Sequence, residues 1–326
     1  MTSLPFEDSE RAFGPSQVIG KLLPRTALFV CALTLVGAEA FAQPDLSQVA
    51  IKVTPVATGI YMLEGAGGNI GLSVGADNAF MIDDQYAPLT PKIKAAIATV
   101  SSKPVKFLMN THWHGDHVGG NENMAGEGAI IVAHDNVRRR MGSAQFLAAL
   151  NMKVPASPTA ALPIVTFSES ISLYVNGDSV RAMHVRNAHT DGDAIVFFQK
   201  ADVVHMGDNF FNGMYPFIDV SSGGSVDGVI AAVDKVLLMT TDKTKFIPGH
   251  GPLASRADLV RFRAMVKTAR DRIARLVAQK RSLAQVVAAK PMADLDGVWG
   301  KGFLKPDQFV TILYGDLARA GKPAKR

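Results

Sequence analysis

Cysteine is almost absent from this chain of 326 residues; Cys31 is the only one. A single cysteine excludes an intramolecular disulfide and any metal site built from clustered thiolates. No Lys/Arg block is interleaved with aromatics. The net charge of +5 and the pI of about 9.2 therefore do not by themselves imply a nucleic-acid partner. No apolar run is long enough for a comfortable transmembrane helix, and no close internal repeat is present. What remains is 48% hydrophobic and 19% charged, an ordinary globular composition, and the 29 glycines imply many tight turns. The length suits one large domain with an extension.

The N-terminal segment has a different character. Lys21 and Arg25 precede an apolar run from Thr26 to Ala38, followed by Ala40-Phe41-Ala42 before Gln43. A basic flank, a short apolar core and a small-residue cleavage site form the pattern of a secretory signal peptide. Residues 1–42 are expected to be such a signal, cleaved after Ala42, on a chain whose true start lies further in. The product would be periplasmic or secreted, with no stable membrane span. Cleavage removes three basic and four acidic residues and raises the net charge from +5 to +6. Val30 is not the small residue that a lipoprotein signal needs before Cys31.

Beyond residue 51 the pattern predicts strands at 60–64, 70–74 and 78–83, with a hairpin turn at 75–77. A helix is expected over 91–100, a strand over 105–109 and another over 129–134. A second helix is expected over 135–150, then a loop over 152–163. A hairpin around Asn176-Gly177 follows, with strands at 194–198, 202–206 and 245–247 and a helix over 224–239. Over 255–290 the period becomes helical, with Leu259, Phe262, Val266, Ala269, Ile273 and Leu276 on one stripe and arginines on the remaining surface, read as a solvated face. A loop and a last helix close the chain. Strands followed by a helix in each half predict an α/β fold of two packed sheets with helices outside. Residues 43–253 would be the catalytic domain and 254–326 a C-terminal helical extension.

The strongest chemical signal is Thr111-His-Trp-His-Gly-Asp-His-Val-Gly-Gly120. Three of the chain's eight histidines and an aspartate lie within six residues at the end of an apolar strand. Imidazole and carboxylate are the nitrogen and oxygen ligands that zinc prefers. On an extended strand end, His112 and His114 point to the same side and can grip one metal. The chain then turns at Gly115, so that Asp116 and His117 begin a helix and can face a second.

The His-x-His-x-Asp-His pattern resembles the signature of the metallo-β-lactamase superfamily, and the resemblance extends from about Ile51 to Gly251. It implies an αββα sandwich with two zinc ions at one edge of the sheets, iron being an alternative metal. In that likeness His189, within Asn187-Ala-His-Thr-Asp-Gly-Asp193, is the third ligand of the first metal. Asp208, within His205-Met-Gly-Asp-Asn209, bridges the two metals. His250, within Ile247-Pro-Gly-His-Gly251, completes the second metal's set with Asp116 and His117. Asp83 supports the site from behind by orienting a ligand imidazole. His134, His184 and His205 match no role; His134 is read as a cap or packing residue, and the other two as strand residues.

The resemblance implies a hydrolase in which a metal-bridging hydroxide cleaves an amide, ester or thioester carbonyl of a small molecule, with Asp116 and Asp208 as catalytic carboxylates. The sequence departs from the clinical β-lactamases in two places. Asp208 stands where many of them have a cysteine ligand, and Phe211 stands where they carry a lysine for the drug's carboxylate. The Gly207-Asp208 pair is closer to glyoxalase II thioesterases, but the glutathione-binding basic pattern is missing. An iron-dependent persulfide dioxygenase and a non-catalytic partner of a periplasmic quinoprotein system are the other readings. Asn209, Phe211, Asn212 and Tyr215 are candidates to line a substrate pocket.

Overall fold

The computed structural model describes residues 46–320; the signal segment lies outside them. Every described residue belongs to one unit, spanning Asp45–Arg326. The first half runs β1 (Lys52–Ala57), β2 (Ile60–Glu64), β3 (Ile70–Val74), β4 (Ala79–Ile82), α1 (Thr90–Ala98), β5 (Val105–Met109), α2 (Gly115–Val118), α3 (Asn121–Gly126), β6 (Ile130–His134) and α4 (Asp135–Met141). Next come β7 (Gln145–Leu147), β8 (Met152–Val154), β9 (Val165–Phe167), β10 (Ser170–Val175), β11 (Asp178–His184), β12 (Ala194–Phe198) and β13 (Val203–His205). The chain ends with α5 (Val226–Met239), β14 (Lys245–Ile247), β15 (Ala254–Ser255), α6 (Arg256–Ala278), α7 (Leu283–Ala288), α8 (Asp296–Trp299) and α9 (Pro306–Ala320).

Two sheets form the centre. The first has the order β1-β2-β3-β4-β5-β6-β9 and the second β10-β11-β12-β13-β14-β15. Alternation along the strands explains why both faces of each sheet are covered. Phe80 and Ile82 of β4 face inward and meet Val196 and Phe198 of β12 in the core between the sheets; the Phe80 and Phe198 rings touch edge to face at 6.2 Å. The intervening Ala79 and Met81 face outward and pack with Ile93 and Ile97 of α1. Ile195 and Phe197 likewise face outward, beneath Val229 and Val233 of α5 and Phe262 and Val266 of α6. The result is the expected αββα sandwich. Helices α6 and α9 share this outer core through Phe262, Ile273, Phe309 and Leu313.

The hairpin around Asn176-Gly177 is present. Both residues have positive φ, 54° and 74°, as the tight turn between antiparallel β10 and β11 requires.

Three local expectations are corrected. The helix over 135–150 stops at Met141, where Gly142 is the C-cap and gives little support to a further turn. Residues 145–154 instead form the β7–β8 hairpin, which turns back at Asn151 in the left-handed region (φ 49°), so the stretch from 152 is part strand. The single helix over 255–290 is broken, because Lys280 takes a positive φ of 57° and ends the run. A Ser282–Gln285 capping box then starts α7 afresh.

Phe262 is fully buried and lies 5.1 Å from the ring of Phe210. Phe262→Ala is expected to cost about 3–5 kcal/mol of unfolding free energy by the cavity it leaves, measured by urea denaturation.

Candidate metal centre

The site is assembled where β5 runs out into the histidine cluster. His112, His114 and His117 are all buried. Strand β12 and the turn before it deliver His189, the turn after β13 delivers Asp208, and the turn after β14 delivers His250. The structure brings all seven proposed donors into two adjacent groups, His112, His114, His189 and Asp208 in one and Asp116, His117 and His250 in the other. Within each group one ligand atom per residue lies within 4.8 Å of the others. The first group is buried, whereas Asp116 and His250 of the second are about a quarter exposed, at 23% and 24%. The second group is therefore the more solvent-exposed of the two.

In the first group the ring nitrogens converge. His114 Nδ1 lies 3.1 Å from His112 Nε2 and 2.9 Å from His189 Nε2. The opposite nitrogen of each ring is tied to an acceptor. His112 Nδ1 meets Thr111 Oγ1 at 3.0 Å, His114 Nε2 meets Asp219 Oδ2 at 3.1 Å, and His189 Nδ1 meets the Phe217 carbonyl at 2.8 Å. Thr111 Oγ1 spends its own proton on Asp83 at 2.7 Å, so it accepts from His112. Each imidazole donates outward and turns a lone pair inward, which is how orienting partners prepare histidine to ligate metal.

Asp83 serves both groups. Its Oδ1 accepts from the Thr111 backbone N–H at 2.8 Å, and its Oδ2 accepts from His117 Nδ1 at 2.8 Å. Asp83, expected to support the site, thus contacts the His117 ring directly and the His112 ring through Thr111. The residue is fully buried with φ at 59°, a strained conformation of the kind held at functional sites.

Asp208 sits between the groups. Its Oδ2 lies 3.7 Å from His112 Nε2 and 3.5 Å from His189 Nε2. Its Oδ1 lies 3.1 Å from His117 Nε2 and 3.4 Å from His250 Nε2. One oxygen therefore faces each group, and Oδ1 is buried without a hydrogen-bond partner. An orphaned carboxylate oxygen amid inward-facing imidazole nitrogens is a costly arrangement that a bound cation resolves. The donor set fits a metal.

Electrostatics point the same way. Burial holds His189 down at about 4, so it is neutral and ready to ligate at neutral pH. Burial also opposes charge on His250, but the Asp208 and Asp116 carboxylates outweigh it and push the imidazole up to about 9. Burial disfavours the charged form of Asp116 too, yet His117 and His250 hold its carboxyl well below the usual range.

Close backbone approach needs glycine at two points. A Cβ on Gly68 would stand 2.0 Å from His117 Cε1, and one on Gly249 would stand 2.1 Å from Asp208 Oδ1. Asn69 then ties the Gly68 loop to the His250 turn through Gly249 O, Pro248 O and Gly251 O at 2.7, 3.0 and 2.8 Å.

The four pocket candidates separate. Phe211 stacks on His250 at 4.9 Å and 20°. Asn209 is buried and donates to Met206 O, and Asn212 donates to Pro252 O. Tyr215 does not line the site: its ring stacks on Phe309 and its hydroxyl donates to Asp296 Oδ1 at 2.8 Å, because the apolar layer under α9 takes it. The remaining histidines behave as structural residues. His134 caps α4 by accepting from Asn136 N–H and stacks at 3.7 Å on His184; these two line a polar surface cavity of about 380 Å³ that includes none of the donors. His205 donates to Asn69 O at 2.9 Å.

Asp219 is the residue that sequence reasoning missed. It lies far along the chain from His114, and nothing local in Phe217-Ile-Asp-Val marks it out. Burial opposes its ionised form, but the His114 and Ser221 hydrogen bonds keep its carboxyl well below the ordinary range.

The αββα frame and the two donor groups support a metal-dependent, hydrolase-like role. A family model described as the metallo-beta-lactamase superfamily matches residues 66–250. That is more than half of the chain and includes every donor, so the chain belongs to this superfamily. Among solved structures, it is similar to a metallo-beta-lactamase from Pontibacter korlensis at 18% identity and a TM-score of 0.56, with 67% of this chain and 99% of that one covered. The DIM-1 metallo-beta-lactamase is similar at 18% identity and a TM-score of 0.55, with 68% and 100% covered. Likeness at this identity reflects the shared fold.

Two outcomes follow from the geometry. Gly68→Ala pushes a methyl into His117 and is expected to weaken metal binding at the second group by at least about tenfold, measured by chelator competition. Metal binding there must displace the proton that His250 holds up to about 9. Affinity at that group is therefore expected to rise with pH toward that value and level off above it, in the same titration repeated across pH.

Proposed function

We propose that the chain is an exported hydrolase that uses two zinc ions to cleave an amide, ester or thioester carbonyl of a small molecule. The observation that carries this reading is Asp208, with one oxygen facing each donor group. Zinc bound in such a pair supplies Lewis acidity and an acidified water as nucleophile. His112, His114 and His189 would hold one ion, and Asp116, His117 and His250 the other. Asp208 would set their spacing. Asp116 is the only carboxylate of the set with substantial solvent exposure, which supports a role in orienting the nucleophile and taking its proton.

Phe211 bears on the substrate class. Where the resembling β-lactamases carry a lysine for the drug's carboxylate, this chain presents an aromatic ring stacked on His250. That favours an uncharged group beside the second ion and turns the preference toward esters, lactones and thioesters over β-lactams. Residues 1–42, read as a signal peptide, support export, and no described helix is long and apolar enough to cross a membrane.

The test is hydrolysis of chromogenic thioester, lactone and cephalosporin substrates by zinc-loaded protein, with a chelator control. Chelator-sensitive turnover of a thioester or lactone is expected. No turnover of any of them by protein shown to hold two zinc ions would sink the hydrolase reading, and iron in the protein as isolated would favour a dioxygenase instead. Asp208→Ala is expected to lose metal and activity together. Asp116→Asn is expected to weaken metal binding at the second group, leave the first loaded, and lose about 100-fold or more in kcat.

A further inference from the structure

We propose that the C-terminal helix α9 is a positioning element for the first donor group alone, acting through Asp316 and Arg319. This rests on the reading that the groups hold zinc. Asp316 is 6% exposed, and its Oδ2 accepts the Val226 backbone N–H at 2.8 Å. That donor is one of the unpaired N–H groups at the start of α5, where a carboxylate is favoured. The same helix start grips the His189 loop: Ser225 N–H donates to Ala188 O at 2.9 Å, and Ser225 Oγ donates to Asn187 O at 2.7 Å. Gly228 approaches so closely that a Cβ there would stand 1.8 Å from Asn187 O. The position of α5 therefore sets the position of the two residues before His189.

Arg319 acts on the other end of the same segment. Its guanidinium donates to Val220 O at 3.1 Å and lies 3.5 Å from Asp316 Oδ1. Val220 follows Asp219, whose carboxylate holds His114 Nε2 and whose N–H donates to His189 O at 2.9 Å. Residues 219–226 are thus clamped by α9 at both ends while they orient two of the three first-group histidines. The second group is held differently. His117 is fixed by Asp83, the Asp116 carbonyl accepts from Gly68 N–H, and the His250 carbonyl accepts from Asn212 N–H; no α9 residue takes part in these bonds.

The experiment is zinc competition on the full chain with a chromogenic chelator, the two affinities being assigned with His189→Ala for the first group and His250→Ala for the second. Asp316→Asn is expected to weaken the first affinity about tenfold and leave the second unchanged, the size typical for partners of metal ligands. Arg319→Ala is expected to act in the same direction; its side chain is 57% exposed, so this variant folds even where Asp316→Asn does not. Arg272→Ala, which breaks the Arg272–Asp294 pair elsewhere in the extension, is expected to change neither affinity. Two tight zinc sites in the wild type with no shift in either α9 variant, or an equal loss at both sites, overturn the positioning role. A wild-type chain that takes up no zinc overturns the metal reading itself, and this inference with it.

Discussion

The Asp83 carboxylate is the constraint on which the rest of the site depends. It is fully buried, held in a left-handed backbone conformation, and shared between the Thr111 backbone, the Thr111 hydroxyl and the His117 ring. A buried carboxylate is tolerated only when its oxygens are satisfied. Here the donors that satisfy it belong to the segment carrying the His-x-His-x-Asp-His motif. The end of β4 and the segment after β5 are therefore locked together by the group that also fixes the tautomer of one imidazole and, through Thr111, of another. Strain at one backbone position is stabilised by three hydrogen bonds and returns rigidity at both donor groups.

Apart from Asp83, which both share, the two groups are served by different parts of the molecule. The second is bounded by the Gly68 loop, Asp83 and the His250 turn, with Asn69 stitching the first sheet to the second across them. The first is bounded by Asp219, Phe217 and the start of α5, all from the second half of the chain. Asp208 stands where the two sets of elements meet. This division goes with burial of the first group and partial exposure of Asp116 and His250 in the second. It also gives the C-terminal helices a place in the architecture, since they cover the same outer core that α5 rests on.

Aromatic side chains shape what surrounds the donors. Phe211 lies flat on His250, while Phe217 packs 5.7 Å from His114 and 5.8 Å from His189. Trp113 is buried against His114. Apolar walls of this kind lower the local dielectric and strengthen every charge interaction inside them, which is consistent with the opposite directions in which burial and the carboxylates drive His189 and His250.

The layers and four of the seven candidate donors are legible in the amino-acid order. Uninterrupted apolar runs in β4 and β12 specify sheets covered on both faces, since successive side chains point to opposite sides. The hexapeptide from His112 to His117 is legible as a cluster of donor types, although β5 ends at Met109 and residues 111–113 form a bend, so the ring directions come from the loop and not from strand alternation. His189, Asp208 and His250 were legible only through order and resemblance, since a lone histidine or aspartate after a strand carries no local signal. The sequence misjudged the end of α4 and the continuity of α6. Helical periodicity persists past a glycine or a left-handed lysine, whereas Gly142 gives a further turn little support and the positive φ of Lys280 ends the helix. That Asp219 holds His114, that Tyr215 turns into the core and that Asp208 offers one oxygen to each group emerge only from packing. Each of these is a contact between segments distant in the chain, fixed by how the sheets and helices pack and not by any local preference of the residues involved.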